Sequence, residues 1–92
     1  MANVIVTIKI MPKSPDINLH KIEADAKKRI IDFAGPGDMK IEHQPIAFGL
    51  KALNIIFVMD EKKGSTEPLE DSLSEIKGVQ SVEVSDVRRA VG

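Results

Sequence analysis

Apolar and polar residues alternate over residues 4 to 11, Val-Ile-Val-Thr-Ile-Lys-Ile-Met. Val4, Val6, Ile8 and Ile10 fall on one face of a predicted strand, and Ile5, Thr7, Lys9 and Met11 on the other. The mixed second face suits a sheet covered by helices on one side only. Pro12 and Pro15 stop the ladder, because proline has no N–H to donate. The period then changes. Leu19, Ile22, Ala26, Ile30 and Phe33 recur at helical spacing, with Lys21, Asp25, Lys28 and Asp32 on the opposite surface. Asn18 is a suitable N-cap for this helix, and Gly35-Pro36-Gly37 ends it.

A second strand starts near Met39. Met39, Ile41 and His43 keep odd parity, whereas Ile46, Phe48 and Leu50 keep even parity, so the phase changes at Pro45. That shift predicts a bulge or bend, and the proline favours an edge position. Gly49 marks the turn into a third strand from about Ala52 to Met59, apolar on both parities as a central strand is. Asp60-Glu61-Lys62-Lys63-Gly64 reads as a charged loop. Ser65 or Thr66 caps a second helix, with Pro68 in its first turn, Leu69, Leu73 and Ile76 as its apolar stripe and Gly78 at the C′ position. Val79, Val82, Val84 and Val87 form a last strand that is charged elsewhere and fit for an edge. The order is βαββαβ. Right-handed crossovers then put the first and third strands in the middle of a four-stranded antiparallel sheet with both helices on one face, a ferredoxin-like α+β sandwich.

Composition narrows what such a sandwich can do. Ninety-two residues suffice for a single domain, expected over 1–92. With no cysteine, disulfide frameworks, thiolate metal sites and cysteine nucleophiles are excluded. The net charge of −1 provides no general attraction to nucleic acid or acidic lipid. No apolar run approaches a membrane span, and Met1-Ala2-Asn3 lacks a basic leader, so a cytoplasmic location is expected.

Little in the chain points to bond-breaking chemistry. His20 and His43 lie on different predicted elements, with no histidine–carboxylate spacing typical of a metal site. Asp60-Glu61 and Glu70-Asp71 read as solvated charge, and no nucleophile elbow, P-loop or dinucleotide fingerprint is present. No catalytic residue, metal or cofactor is therefore expected. The basic groups Lys27-Lys28-Arg29, Lys62-Lys63 and Arg88-Arg89 are diluted by neighbouring acids. RNA-binding domains of this fold stack bases on aromatics of the two central strands, where this chain offers Phe57 alone. One segment stands apart. In Pro45-Ile46-Ala47-Phe48-Gly49-Leu50-Lys51 a large ring sits at a turn between Pro and Gly, a suitable anchor for a pocket on a protein partner.

Residues 45 to 84 resemble the C-terminal exchange domain of the translation elongation factor 1-beta family. The most specific stretches are Pro45-Ile46-Ala47-Phe48-Gly49-Leu50-Lys51-Ala52-Leu53 and Val79-Gln80-Ser81-Val82-Glu83-Val84. The first strand with its Met11-Pro12 ending is similar too, and the match is looser over residues 12 to 44. Lacking the N-terminal extension of eukaryotic members, the chain is similar to the stand-alone archaeal form.

The resemblance implies a function: guanine-nucleotide exchange on the GTPase elongation factor 1-alpha, without covalent chemistry, cofactor, nucleic acid or membrane, by a monomer. It also implies that Phe48 takes the place of the family's inserted aromatic, with Gly49 and Lys51 beside it. A lysine near the family's C-terminus reaches the magnesium and phosphate region. Alignment on Val84 puts Arg89 at that lysine and Arg88 before it, a departure that keeps the charge but replaces a compact ammonium with a planar fork. The rival readings on this fold are an ACT-like ligand-binding regulatory module and an RNA-binding domain. The first lacks its glycine-containing loop at residues 12 to 18, and the second lacks its aromatics. An acylphosphatase-like enzyme would need an arginine after the first strand, where Lys13 stands instead.

Overall fold

The computed structural model describes residues 3–90; Met1, Ala2, Val91 and Gly92, and with them the ends of the expected leader-free start and basic tail, lie outside the described residues. The chain runs β1 (Asn3–Pro12), α1 (Leu19–Ala34), β2 (Met39–Pro45), β3 (Lys51–Asp60), α2 (Glu67–Ser74) and β4 (Val79–Arg89). The strands form one antiparallel sheet in the order β2-β3-β1-β4, the ferredoxin-like arrangement expected from the pattern.

Alternation sets the core. Val6, Ile8 and Ile10 of β1 pair with Phe57, Ile55 and Leu53 of β3, so all six side chains share one face of the sheet. Ile22, Ala26 and Ile30 of α1 and Leu69 and Leu73 of α2 complete the buried cluster on that face. Asn18 caps α1 as expected: its side chain accepts a hydrogen bond of 3.0 Å from the His20 N–H. Phe33 packs at the margin of the core.

Three local expectations change. The even-parity residues after Pro45 do not extend β2; a tight 3₁₀ turn at Ala47–Gly49 takes their place, so the break in phase marks the end of the strand. Thr66 stands at the N-cap of α2 without capping it through its side chain: Ser65 Oγ accepts from the Glu67 N–H at 3.0 Å, while Thr66 Oγ1 donates to Glu70 Oε2 at 2.8 Å. Gly78 is not the C′ residue of α2, because the helix stops at Ser74. It lies in the turn into β4 with φ +93°, and its carbonyl accepts from the Lys13 N–H at 2.9 Å.

The valines of β4 change parity for a physical reason. Thr7 pairs with Asp86 but Ile8 pairs with Val84, leaving Ser85 as an extra residue; a second shift follows at Met11/Pro12. These bulges let Val79, Val82, Val84 and Val87 all lie opposite inward-facing or end positions of β1 despite their uneven spacing. Beyond the bulge, Arg89 lies opposite Val4 on the side of the sheet that carries the core, and Arg88 opposite Ile5 on the other side.

Candidate functional site

The β2–β3 turn is built by closure of its base. Pro45 pairs with Lys51, and the Ile46 N–H donates to the Leu50 carbonyl at 2.7 Å. The chain must reverse within the three residues between, and it does so with left-handed backbone at two successive positions: Phe48 at φ 63°, ψ 30° and Gly49 at φ 76°. Gly49 adopts this conformation without cost, whereas a residue with a Cβ gives up roughly 1–2 kcal/mol there. The Phe48 ring gains nothing from packing in return, being 93% exposed. Gly49 and Lys51 beside it are exposed as well. A large apolar ring held away from the core by a closed turn is suited to burial in another molecule's pocket.

The two C-terminal arginines are not part of this cluster. Arg89 pairs across the sheet with Val4, whereas the Phe48 turn projects beyond the end of β1 that carries Ile10 and Pro12. The span of β1 from Val4 to Pro12 lies between them, about 27 Å along the strand at roughly 3.3–3.4 Å per residue. Both arginines are exposed and paired with acids: Arg88 Nε lies 2.7 Å from Asp86 Oδ2, and an Arg89 guanidinium nitrogen lies 3.0 Å from Glu61 Oε2. The five residues expected to bind a partner therefore form two groups at opposite ends of an elongated molecule, 42 Å in its longest dimension.

The acidic pairs have local uses. Asp60 Oδ1 accepts from the Lys62 N–H at 2.9 Å, Glu61 holds Arg89, and Glu70 accepts from Thr66. The basic run in α1 is divided too. Lys27 faces Glu23 at 3.5 Å, but Arg29 bonds Asp25 at 3.0 Å and reaches the Ser72 carbonyl and hydroxyl, joining α1 to α2. Phe57 is 2% exposed and belongs to the core, so among the described residues the open face of the sheet bears no aromatic for base stacking.

Both histidines are exposed and lie on different elements, and the fold brings them together: His20, Glu23 and His43 meet between the first turns of α1 and the end of β2, with ligand atoms all within 4.8 Å of one another. His43 Nε2 lies 3.0 Å from Glu23 Oε1, and the two imidazole rings are 5.5 Å apart. The hydrogen bond from His43 holds the Glu23 carboxyl below its ordinary pKa, aided by the charge of Lys27. Two signals in the sequence would have found this trio. His20 and Glu23 are three apart on a helix, and His43 shares the inward parity of Met39 and Ile41. The trio lies beside a groove of about 440 Å³ that extends past Pro12 and Pro15 to Gly49 and Lys51, at the foot of the Phe48 turn.

Comparison with known proteins gives one consistent answer. Residues 5–90 match the family described as the EF-1 guanine nucleotide exchange domain. The chain is 47% identical to "Elongation factor 1-beta" of Methanothermobacter thermautotrophicus over 89 residues, covering 97% of this chain and 98% of that relative. It is 45% identical over 92 residues to the protein of the same name in Methanobrevibacter smithii, with 97% and 98% covered. In Methanocaldococcus jannaschii the corresponding relative is 41% identical over 93 residues, covering 98% of this chain and all of that protein.

Proposed function

The chain belongs to the family of EF-1 guanine nucleotide exchange domains, and we propose that it releases GDP from the GTPase elongation factor 1-alpha by inserting Phe48 at one point and presenting Arg88 and Arg89 at another. It does so as a monomeric cytoplasmic protein without covalent chemistry of its own. The observation that carries this reading is the Phe48 ring, 93% exposed on a left-handed backbone.

A GTPase grips GDP through backbone amides, a lysine and Mg²⁺ on the phosphates. An exchange factor binds the nucleotide-free state better than the GDP-bound one, and linkage then weakens GDP by the same coupling factor. Accelerating release a thousandfold means lowering the barrier by about 4 kcal/mol. A desolvated aromatic anchor contributes about 2 kcal/mol or more of this. Gly49 allows the partner's backbone to approach the turn closely, and Lys51 adds a charge at its foot. A guanidinium brought near the metal position opposes Mg²⁺ binding electrostatically. For Arg89 this means leaving Glu61, and an exposed pair of that kind holds it by no more than about 1 kcal/mol.

Release of fluorescent GDP from elongation factor 1-alpha tests the reading. The wild-type chain should accelerate release, and Phe48→Ala should reduce the stimulated rate about thirtyfold, the equivalent of about 2 kcal/mol, with an unchanged melting temperature. Equal rates for the two proteins would remove Phe48 from the mechanism. Failure of the wild-type chain to accelerate release would overturn the assignment as a whole.

A further inference from the structure

His20, Glu23 and His43 form a donor set that the exchange activity does not use, and we infer that they bind a divalent transition-metal ion of the zinc class. Two imidazole nitrogens and one carboxylate oxygen, with water in the remaining position, make a set that suits Zn²⁺ and its neighbours better than Mg²⁺ or Ca²⁺, which favour oxygen ligands. The elements hold the donors in place from two sides. His20 and Glu23 share one face of α1, where Asn18 fixes the first turn through the His20 N–H. His43 arrives from β2, on the side of the sheet that faces α1, opposite buried Leu53.

The distances fit with modest side-chain rotation. Metal–ligand bonds of about 2.0–2.2 Å put tetrahedral donors about 3.4 Å apart. The Glu23–His43 pair is already at 3.0 Å, and no two donors in the trio are more than 4.8 Å apart. The exposed His20 ring can close that gap by turning about its own bonds. Lys27 sits 3.5 Å from Glu23 Oε2, leaving Oε1 directed toward His43. Binding replaces the proton shared between His43 Nε2 and Glu23 Oε1 with the ion, and the proton leaves to solvent. The groove reaching to Gly49 gives the ion an entry path and room for its water. Once bound, the ion ties the start of α1 to the end of β2 at the foot of the Phe48 turn.

The inference stands apart from nucleotide exchange and is read without the GTPase. Calorimetry of the tag-free chain with ZnCl₂ should give one ion per chain in the micromolar range, and Co²⁺ should produce the visible absorption of a tetrahedral site. At a hundredfold excess of Zn²⁺ over Kd the melting temperature should rise by roughly 11–22 °C. His20→Ala, Glu23→Gln and His43→Ala should each weaken binding at least tenfold, as loss of one of three protein ligands must. Glu42→Gln, on the other face of β2, should leave it unchanged. Should His43→Ala not fold by circular dichroism, His43→Gln replaces it. No one-to-one binding at millimolar Zn²⁺, or binding that survives both histidine substitutions, overturns the site.

Discussion

Phe48 is the sole residue other than glycine with a positive φ among the described residues, and it is also the most exposed large apolar side chain. Each feature costs stability, and the fold recovers neither. Backbone strain of this kind concentrates where a surface is shaped for a partner. The cost can be measured. Asn tolerates the left-handed region far better than Phe, so Phe48→Asn should stabilise the free protein by up to about 1 kcal/mol, a rise in melting temperature of roughly 4–8 °C. The same substitution should lower stimulated GDP release about as much as Phe48→Ala does. A fall in melting temperature instead would mean that the ring packs against the protein in solution.

At the scale of elements, the two helices are held to each other as well as to the sheet. The Arg29 guanidinium bridges Asp25 on its own helix and Ser72 on the other. Hydrogen bonds to a charged donor are worth about 1.5–3 kcal/mol, with partial exposure favouring the lower end. Arg29→Ala should therefore cost about 1–2 kcal/mol in urea unfolding, and Arg29→Lys should recover little, since an ammonium lacks the fork that serves both partners. The turn between α2 and β4 is less forgiving. A Cβ on Gly78 would lie 2.9 Å from Ile17 Cγ2, on a backbone with φ +93°. Gly78→Ala should destabilise by about 1–3 kcal/mol through strain and crowding together, seen as a lower urea midpoint at constant slope. An unchanged midpoint would show that the β1–α1 loop carrying Ile17 yields freely.

For the whole molecule, one buried cluster under one face of the sheet carries the stability. A chain of 92 residues has about 5–14 kcal/mol in hand. Leu53→Ala, at a fully buried site facing β1, should remove about 2–5 kcal/mol of it in denaturant unfolding. The elongated shape has a functional counterpart. Phe48 and Arg89 lie far enough apart that their effects on a partner should be independent. The losses of stimulated exchange in Phe48→Ala and Arg89→Ala should accordingly add in free energy to within about 0.5 kcal/mol in the double variant. Strong non-additivity would mean that the partner couples the two contacts through its own conformation.

What the chain's own pattern determined was the element order and the inward faces, which depend on period and backbone chemistry. Alternation identified β1 and the inward face of β3, helical spacing and Asn18 identified α1, and the change of phase at Pro45 flagged a break that the structure shows to be the end of β2. The exchange family was legible in the Phe48 turn and in the residues of the last strand. Tertiary structure decided what joins residues distant in sequence. It brought His43 to His20 and Glu23, used Arg29 as a clamp where the sequence suggests solvated charge, and separated the arginines from Phe48 by the length of a strand. The cause is geometric: a local period tells which way a side chain points, but its neighbours across the sheet depend on register, and here one extra residue at Ser85 exchanged the faces that Arg88 and Arg89 occupy, setting Arg89 opposite Val4. The conformation of Phe48 escaped sequence reasoning for a related reason, since closure of the hairpin at its base, and not any preference of phenylalanine, forces φ to become positive there.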